Sequence, residues 1–286
     1  MKWDRRQFSR WGPSDRHCRR GRRDRPRQGI AWCGLALRVA FPAAALAIVS
    51  GCAAERDRCA DWPAGLPPWT LAVVVDATDG LSRPQREDMW SRIRPLADAA
   101  PAGSVFHLYE VRSDAAGGVR EVAVVRRPPH PCEVNHWSDN PDQRAAQWAP
   151  LYLQPLRDAL GSMSRAGPSD SSAILQAVQS AARRFVDSAE ARGHLILISD
   201  LMQNVGVDFY RGIPGFEDFR ATSLYREVRS RGLQGAALTV LQLPPSRDGL
   251  VDELALRDFW SAFFTDQGMV GVDAAFLPVE GARRER

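Results

Sequence analysis

The sequence predicts an α/β domain with a doubly wound, mostly parallel central sheet flanked by helices, and three observations lead to that fold class. First, residues 70–82 read Thr-Leu-Ala-Val-Val-Val-Asp-Ala-Thr-Asp-Gly-Leu-Ser, an apolar run that stops on Asp76 and passes at once into hydroxyls and a glycine. A run without polar alternation suits a strand buried on both faces, and open α/β sheets gather ligands just past the carboxyl ends of such strands. Second, residues 194–200, His-Leu-Ile-Leu-Ile-Ser-Asp, repeat the arrangement and bring Asp200 to an equivalent edge. Third, strand patterns alternate with amphipathic helical ones, as parallel crossover units require.

The elements follow in order. The strand over 71–75 leads into Ser82-Arg83-Pro84-Gln85, a capping box with proline in the first turn, and then Met89, Ile93, Leu96 and Ala97 at helical spacing. Strands are expected over 104–111 and 119–125, separated by Ala115-Ala116-Gly117-Gly118. Residues 127–141, rich in Pro, Asn, His and Asp, read as a long loop, a class that is commonly functional or mobile. Helical spacing returns over 143–163 through Trp148, Leu151, Leu156 and Leu160, with Pro150 and Pro155 bending or interrupting it. After Ser169-Asp170-Ser171-Ser172, the stripe Ile174, Leu175, Val178, Ala181, Ala182 and Phe185 marks the helix that feeds the strand ending at Asp200. A glycine-marked loop over 211–215, a helix near 223–230, a strand over 236–243 and a helix over 253–265 complete the series. In that last helix Leu256, Phe259, Trp260, Phe263 and Phe264 read as core, and His107 and His194, inside strand patterns, as packed side chains.

The formal charge of +4 over 286 residues is unevenly divided. Residues 1–51 hold Lys2 and eleven arginines against Asp4, Asp15 and Asp24, a net +9, so the other 235 residues hold 26 basic and 31 acidic groups, a net −5. The globular part is mildly acidic, so the basicity of the whole chain lends no support to nucleic-acid binding. Residues 1–51 have the three-part order of an export signal or membrane leader: arginines through Arg27, an apolar stretch over 30–49, then Ser50-Gly51-Cys52. Small residues directly before a cysteine resemble the bacterial lipobox, which implies lipidation of Cys52; a plain membrane-spanning anchor is the alternative. Residues 4–10 also resemble a twin-arginine export motif. Arginines on the inner flank orient either anchor so that the domain faces the periplasm or the cell exterior. Residues 52–68, with Pro63, Pro67 and Pro68, read as a tether, 69–279 as the domain and 280–286 as a disordered tail. In an oxidising compartment Cys59 and Cys132 are candidates to pair.

Asp76-Ala77-Thr78-Asp79-Gly80, the serines Ser171 and Ser172 opening a helix, and Asp200 ending a later strand resemble the three loops of the von Willebrand factor A family. There a metal-ion-dependent adhesion site is built from Asp-x-Ser-x-Ser after the first strand, a threonine before a helix and an aspartate after the fourth strand. By position, the resemblance implies Asp76 and Thr78 as ligands from the first loop, Ser171 or Ser172 from the second and Asp200 from the third, around Mg²⁺ or, in its place, Mn²⁺ or Ca²⁺. A small hard cation prefers such oxygen donors and retains waters. Hydroxyl ligands keep it electrophilic, and in the family a carboxylate from a protein partner completes its coordination. The chain departs from the pattern at Gly80, where the family has a second serine, so one direct ligand is missing. Asp79 and Ser82 are candidates to replace it, although Ser82, Ser171 and Ser172 are equally well read as helix caps. The stretches Cys132-Glu133-Val134-Asn135, Asn140-Pro141, Trp148, Pro155-Leu156 and 198–204 extend a similarity to a largely uncharacterised bacterial group of A-domain-like proteins over most of 70–265. The implied function is a membrane-tethered protein-interaction module with a degenerate cation site, or a structural accessory in which that site has decayed.

Two other chemistries start from the same residues. Haloacid dehalogenase phosphotransferases also open with a strand ending in an aspartate, so a Mg²⁺-dependent phosphatase is the enzymatic alternative. Against it, their general acid two positions on is Thr78 here, and no lysine follows Lys2 to hold a phosphate. A zinc site would draw on His130, Cys132, His136 and Cys59, but the spacing matches no paired zinc motif and a disulfide accounts for the cysteines better. The sequence holds no Gly-rich phosphate loop, nucleophile elbow or His-Glu zincin motif, so it names no catalytic residue.

Overall fold

The side chains of residues 71–75 are all fully buried, as an uninterrupted apolar run requires and a central strand permits. In the computed structural model, described for residues 66–76, 78, 80–112, 115, 118–133, 140–163, 171–186, 192–244, 252–272 and 275–279, they belong to β1 (Trp69–Val75). The leader, Cys52, Cys59, Asp79, His136 and the tail lie outside the described residues. Among the described residues no helix is long and apolar enough to cross a membrane.

β1 is the third strand of a six-stranded sheet with order β3-β2-β1-β4-β5-β6. β2 (Val105–Val111), β4 (Arg192–Ser199), β5 (Ala237–Gln242) and β6 (Phe276–Pro278) form parallel pairs, and β3 (Val119–Arg126) runs antiparallel at the edge against β2. This is the doubly wound order, in which the chain reverses direction across the sheet between β1 and β4 and opens a crevice at their carboxyl ends. β6 carries no pattern that sequence reasoning detects, because three residues ending on a proline are too few for a period.

Two apolar layers cover the sheet, and alternate residues of each strand serve one or the other. Leu71, Val73 and Val75 pack under α1 (Arg83–Ala99) and α3 (Gln154–Met163), whereas Ala72 and Val74 pack under α4 (Ile174–Val186) and α7 (Glu253–Asp266). α1 starts at the expected capping box, Ser82 with Gln85, and buries Met89, Ile93 and Ala97. α4 buries Ile174, Leu175, Val178, Ala181 and Ala182, with Phe185 of the expected stripe only partly buried, and α7 buries Leu256, Phe259, Trp260, Phe263 and Phe264 as expected. The segment with Pro150 and Pro155 is interrupted as expected: between α2 (Pro141–Trp148) and α3, residues Ala149–Leu153 wind as a π-turn rather than an α-helix. A further short helix, α5 (Phe216–Arg220), precedes the helix expected near 223–230, which forms as α6 (Ser223–Val228), capped by Thr222.

The start of the expected long loop is firmly anchored rather than mobile. Arg127 is fully buried and donates to the Glu133 carboxylate and to the Pro128 carbonyl, while its guanidinium lies 4.9 Å from the centre of the Trp148 ring. His130 meets the same ring edge-on at 5.0 Å, and its Nδ1 accepts the Cys132 N–H at 3.2 Å. Cys132 is disulfide-bonded, which withdraws it from zinc chemistry; Cys59, its expected partner, lies outside the described residues. His107 and His194 are both strand residues, the first bonded to Glu121 at 2.9 Å and the second, deeply buried, to Thr239 at 3.0 Å.

Candidate functional site

Asp76 follows directly on β1, at the reversal point between β1 and β4. Its N–H donates to Ile198 O at 2.8 Å, extending the ladder one step beyond the strand and fixing the carboxylate at the mouth of the crevice. The side chain turns toward α4 and is 4 % exposed. Its Oδ2 accepts the Ser172 hydroxyl at 2.6 Å and the Ser199 hydroxyl at 3.0 Å, and its Oδ1 accepts the Thr78 N–H at 3.3 Å. All these partners are neutral. Burial therefore prevails over the hydrogen bonds and holds the carboxyl above the usual range for an aspartate.

The loop after β1, the segment before α4 and the last residue of β4 thus converge on one carboxylate. Each hydroxyl there has a different remaining capacity. Ser172 gives its proton to Asp76, which leaves the lone pairs of its oxygen for a cation. Its backbone is fixed by two bonds to Asn204: Ser172 N to Asn204 Oδ1 at 2.6 Å, and Asn204 N to Ser172 O at 3.1 Å. It does not cap α4; the Leu175 N–H is taken instead by Gln203 Oε1 at 2.9 Å. Ser171 precedes it, half-buried. Ser199 is fully buried and uses its oxygen twice, donating to Asp76 and accepting the Leu201 N–H at 2.8 Å.

Asp200 lies one residue beyond β4, buried, with Oδ1 accepting the Met202 N–H at 2.9 Å. Ser82 lies apart from these groups in its bonding: it is exposed, its hydroxyl accepts the Gln85 N–H, and the Gln85 side chain returns to the Ser82 N–H at 2.8 Å. Gly80 has φ +70, a left-handed backbone that a serine would adopt only under strain. The missing hydroxyl at that position is therefore matched by the conformation of the loop. Asp79 lies outside the described residues.

The donor set fits a small hard cation in kind: two carboxylates, Asp76 and Asp200, with the hydroxyls of Thr78 and Ser172, and no soft ligand. Among the described residues no cluster of three or more His, Cys, Asp or Glu side chains has metal-site geometry, so hydroxyls would have to carry part of the coordination. A phosphatase nucleophile fits less well, because Asp76 is buried and both its oxygens are engaged. Sequence reasoning missed Ser199, Gln203 and Asn204. Their signal is the run Ser-Asp-Leu-Met-Gln-Asn over 199–204, dense in short polar side chains directly after a buried strand.

No protein-family model and no curated protein matches the sequence. Among solved structures, the chain is similar to the conserved hypothetical protein BatB from Bacteroides thetaiotaomicron, at 13% identity and a TM-score of 0.38, over 75% of this chain and 91% of that one. It is also similar to a von Willebrand factor type A protein from Catenulispora acidiphila, at 16% identity and a TM-score of 0.32, over 71% of this chain and 42% of that one. A third similarity is to the human COPII-coat protein Sec24c, at 13% identity and a TM-score of 0.35, over 69% of this chain and 28% of that one. The chain thus spans less than half the length of the second and third of these structures. Such distant likenesses assign no ligand; the von Willebrand factor A-like α/β fold rests on the chain's own strand order and on the convergence of Ser172, Ser199 and the Thr78 N–H at Asp76.

Proposed function

We propose that the chain is a protein-interaction module of the von Willebrand factor A type, tethered to a bacterial membrane through its N-terminal leader with the domain facing the periplasm or cell exterior, and that its Asp76 edge takes a divalent cation. The observation that carries this reading is the environment of Asp76: a buried carboxylate served by the hydroxyls of Ser172 and Ser199 and the Thr78 N–H and, among the described residues, by no cationic side chain. Such a group is poorly compensated on its own, and a divalent cation is the partner its neighbours leave room for chemically. Asp76, Thr78, Ser172 and Asp200 would hold Mg²⁺, or Mn²⁺ or Ca²⁺ in its place. When bound, the cation would supply an electrophilic contact for a carboxylate on a protein partner.

A second reading, a structural accessory without metal, draws on Gly80, whose left-handed backbone leaves the first loop one ligand short. Calorimetric titration of the purified full chain with Mg²⁺ and Mn²⁺ separates the two. Saturable binding that disappears in Asp76→Ala supports the cation site; no heat and no thermal shift in the wild type would leave the accessory reading. Phosphatase activity abolished by Asp76→Asn would overturn both. Globomycin-sensitive processing, lost in Cys52→Ser, tests the tether, and processing unchanged by both would exclude the lipidated form.

A further inference from the structure

Leu201 has φ +67, the one positive value for a non-glycine among the described residues, and it sits between the two parts of the site. A branched side chain gains nothing from a left-handed backbone, and such conformations persist where the surroundings over-determine them. Here the surroundings are explicit. The Leu201 side chain is fully buried in the layer under α7, its N–H is held by Ser199 Oγ at 2.8 Å, and its carbonyl accepts the Trp260 Nε1–H at 3.0 Å and the Gln203 N–H at 3.0 Å.

The left-handed residue has a geometric consequence on each side. Before it, Ser199 Oγ is oriented so that its proton goes to Asp76 Oδ2. After it, the chain doubles back and the Met202 N–H reaches Asp200 Oδ1. One strained residue therefore lies between a bond to each carboxylate, Ser199 to Asp76 before it and Met202 N–H to Asp200 after it. Of the groups that hold it, only Trp260 comes from outside the loop and its strand, from the middle of α7. The indole is fully buried and packs on Phe264, Phe263, Phe259 and Phe209, so its N–H is delivered at a fixed point.

We propose that Trp260 is a positioning residue of the candidate site: through its hydrogen bond to the Leu201 carbonyl it clamps the left-handed turn that aims Asp76 and Asp200. The proposal rests on the cation-site reading. It explains why a tryptophan, rather than another large apolar residue, occupies this core position: packing alone would accept phenylalanine, whereas the Leu201 carbonyl needs a donor. It also explains why a leucine is tolerated where glycine would be free of strain.

The test is calorimetric titration of the full chain with Mg²⁺ for the wild type, Trp260→Phe, and Trp260→Phe combined with Leu201→Gly. Trp260→Phe is expected to weaken binding by about tenfold, the loss expected when a turn must be re-formed on binding. Adding Leu201→Gly removes the left-handed strain, so binding is expected to recover to within about threefold of wild type even though deletion of a buried side chain lowers the thermal midpoint. A purely structural tryptophan predicts the reverse, with the less stable double variant binding no better than Trp260→Phe. A second readout is the indole N–H resonance of Trp260, assigned by its loss in Trp260→Phe, which is expected to shift when Mg²⁺ is added. Wild-type binding with unchanged affinity in Trp260→Phe, or without recovery in the double variant, would overturn the clamp alone. No binding in the wild type would overturn the cation site and the clamp's role in it together.

Discussion

The two ends of the central sheet bury charged side chains in opposite ways. Beside the start of β2, Arg127 is enclosed with its counter-ion Glu133, a carbonyl acceptor and the face of Trp148. Beyond the end of β1, Asp76 is enclosed with hydroxyls and one N–H, and its carboxyl is held high by burial. A buried charge with its counter-ion in place is a structural device, whose removal leaves the other charge stranded. A buried charge with only neutral donors is a liability to the empty fold and an opportunity for a ligand. The difference separates two groups that look alike in a list of buried polar residues.

Removing each charge therefore has opposite expected signs. Arg127→Met keeps much of the side-chain volume but strands Glu133, and it is expected to destabilise the domain by about 3–5 kcal/mol in chemical denaturation. A loss below about 1 kcal/mol would break the comparison, by showing that the ion pair contributes little beyond packing.

His194 provides an intermediate case, a buried titratable group with no counter-ion. Burial pushes its pKa down to about 4 from an ordinary 6.5. Between these values the unfolded chain binds a proton that the fold refuses. This contribution to stability is thus intact above about pH 6.5, falls as the pH drops, and levels off below about pH 4, a loss on the order of 3 kcal/mol. Stability measured against pH should show that slope in the wild type and lose it in His194→Gln; an unchanged slope would assign the acid sensitivity to other groups.

The smallest effect expected concerns Ser82. Ser82→Ala should cost about 1 kcal/mol, as the loss of a helix cap does, and leave Mg²⁺ affinity unchanged. A fall in affinity would return Ser82 to the site.

What the sequence made legible follows from periodicity. Residues 71–75 and the run ending at Asp200 announce themselves because a strand buried on both faces has no polar positions, and α4 and α7 because their apolar stripes recur at helical spacing. Features without a period were not legible. The Arg127–Glu133 pair lies in a segment that reads as loop, and nothing local marks an arginine as buried. Leu201 is invisible as a turn residue because nothing in a leucine side chain favours the left-handed backbone it adopts. Ser172 and Ser171 are indistinguishable in sequence, and it is the hydrogen bond of Ser172 to Asp76 that places Ser172 in the site. Gly80 read as a missing ligand; its left-handed φ gives the physical reason for the glycine.

On the proposed cation-site reading, Asp76 is kept chargeable for a ligand at the expense of the empty fold. Because its folded pKa is raised, the unfolded chain ionises first as the pH climbs above about 3.8, and the stability this group lends is lost as the pH rises through the folded value. Asp76→Asn keeps the shape and removes the charge. The direct measurement is the thermal midpoint of wild type and Asp76→Asn at pH 7, in chelator and in Mg²⁺. The expected result is that Asp76→Asn melts higher than wild type in chelator and ignores Mg²⁺, while the wild type rises with Mg²⁺. A wild type indifferent to Mg²⁺, together with an Asp76→Asn variant that melts lower in chelator, would contradict the account and make Asp76 a structural group like Arg127.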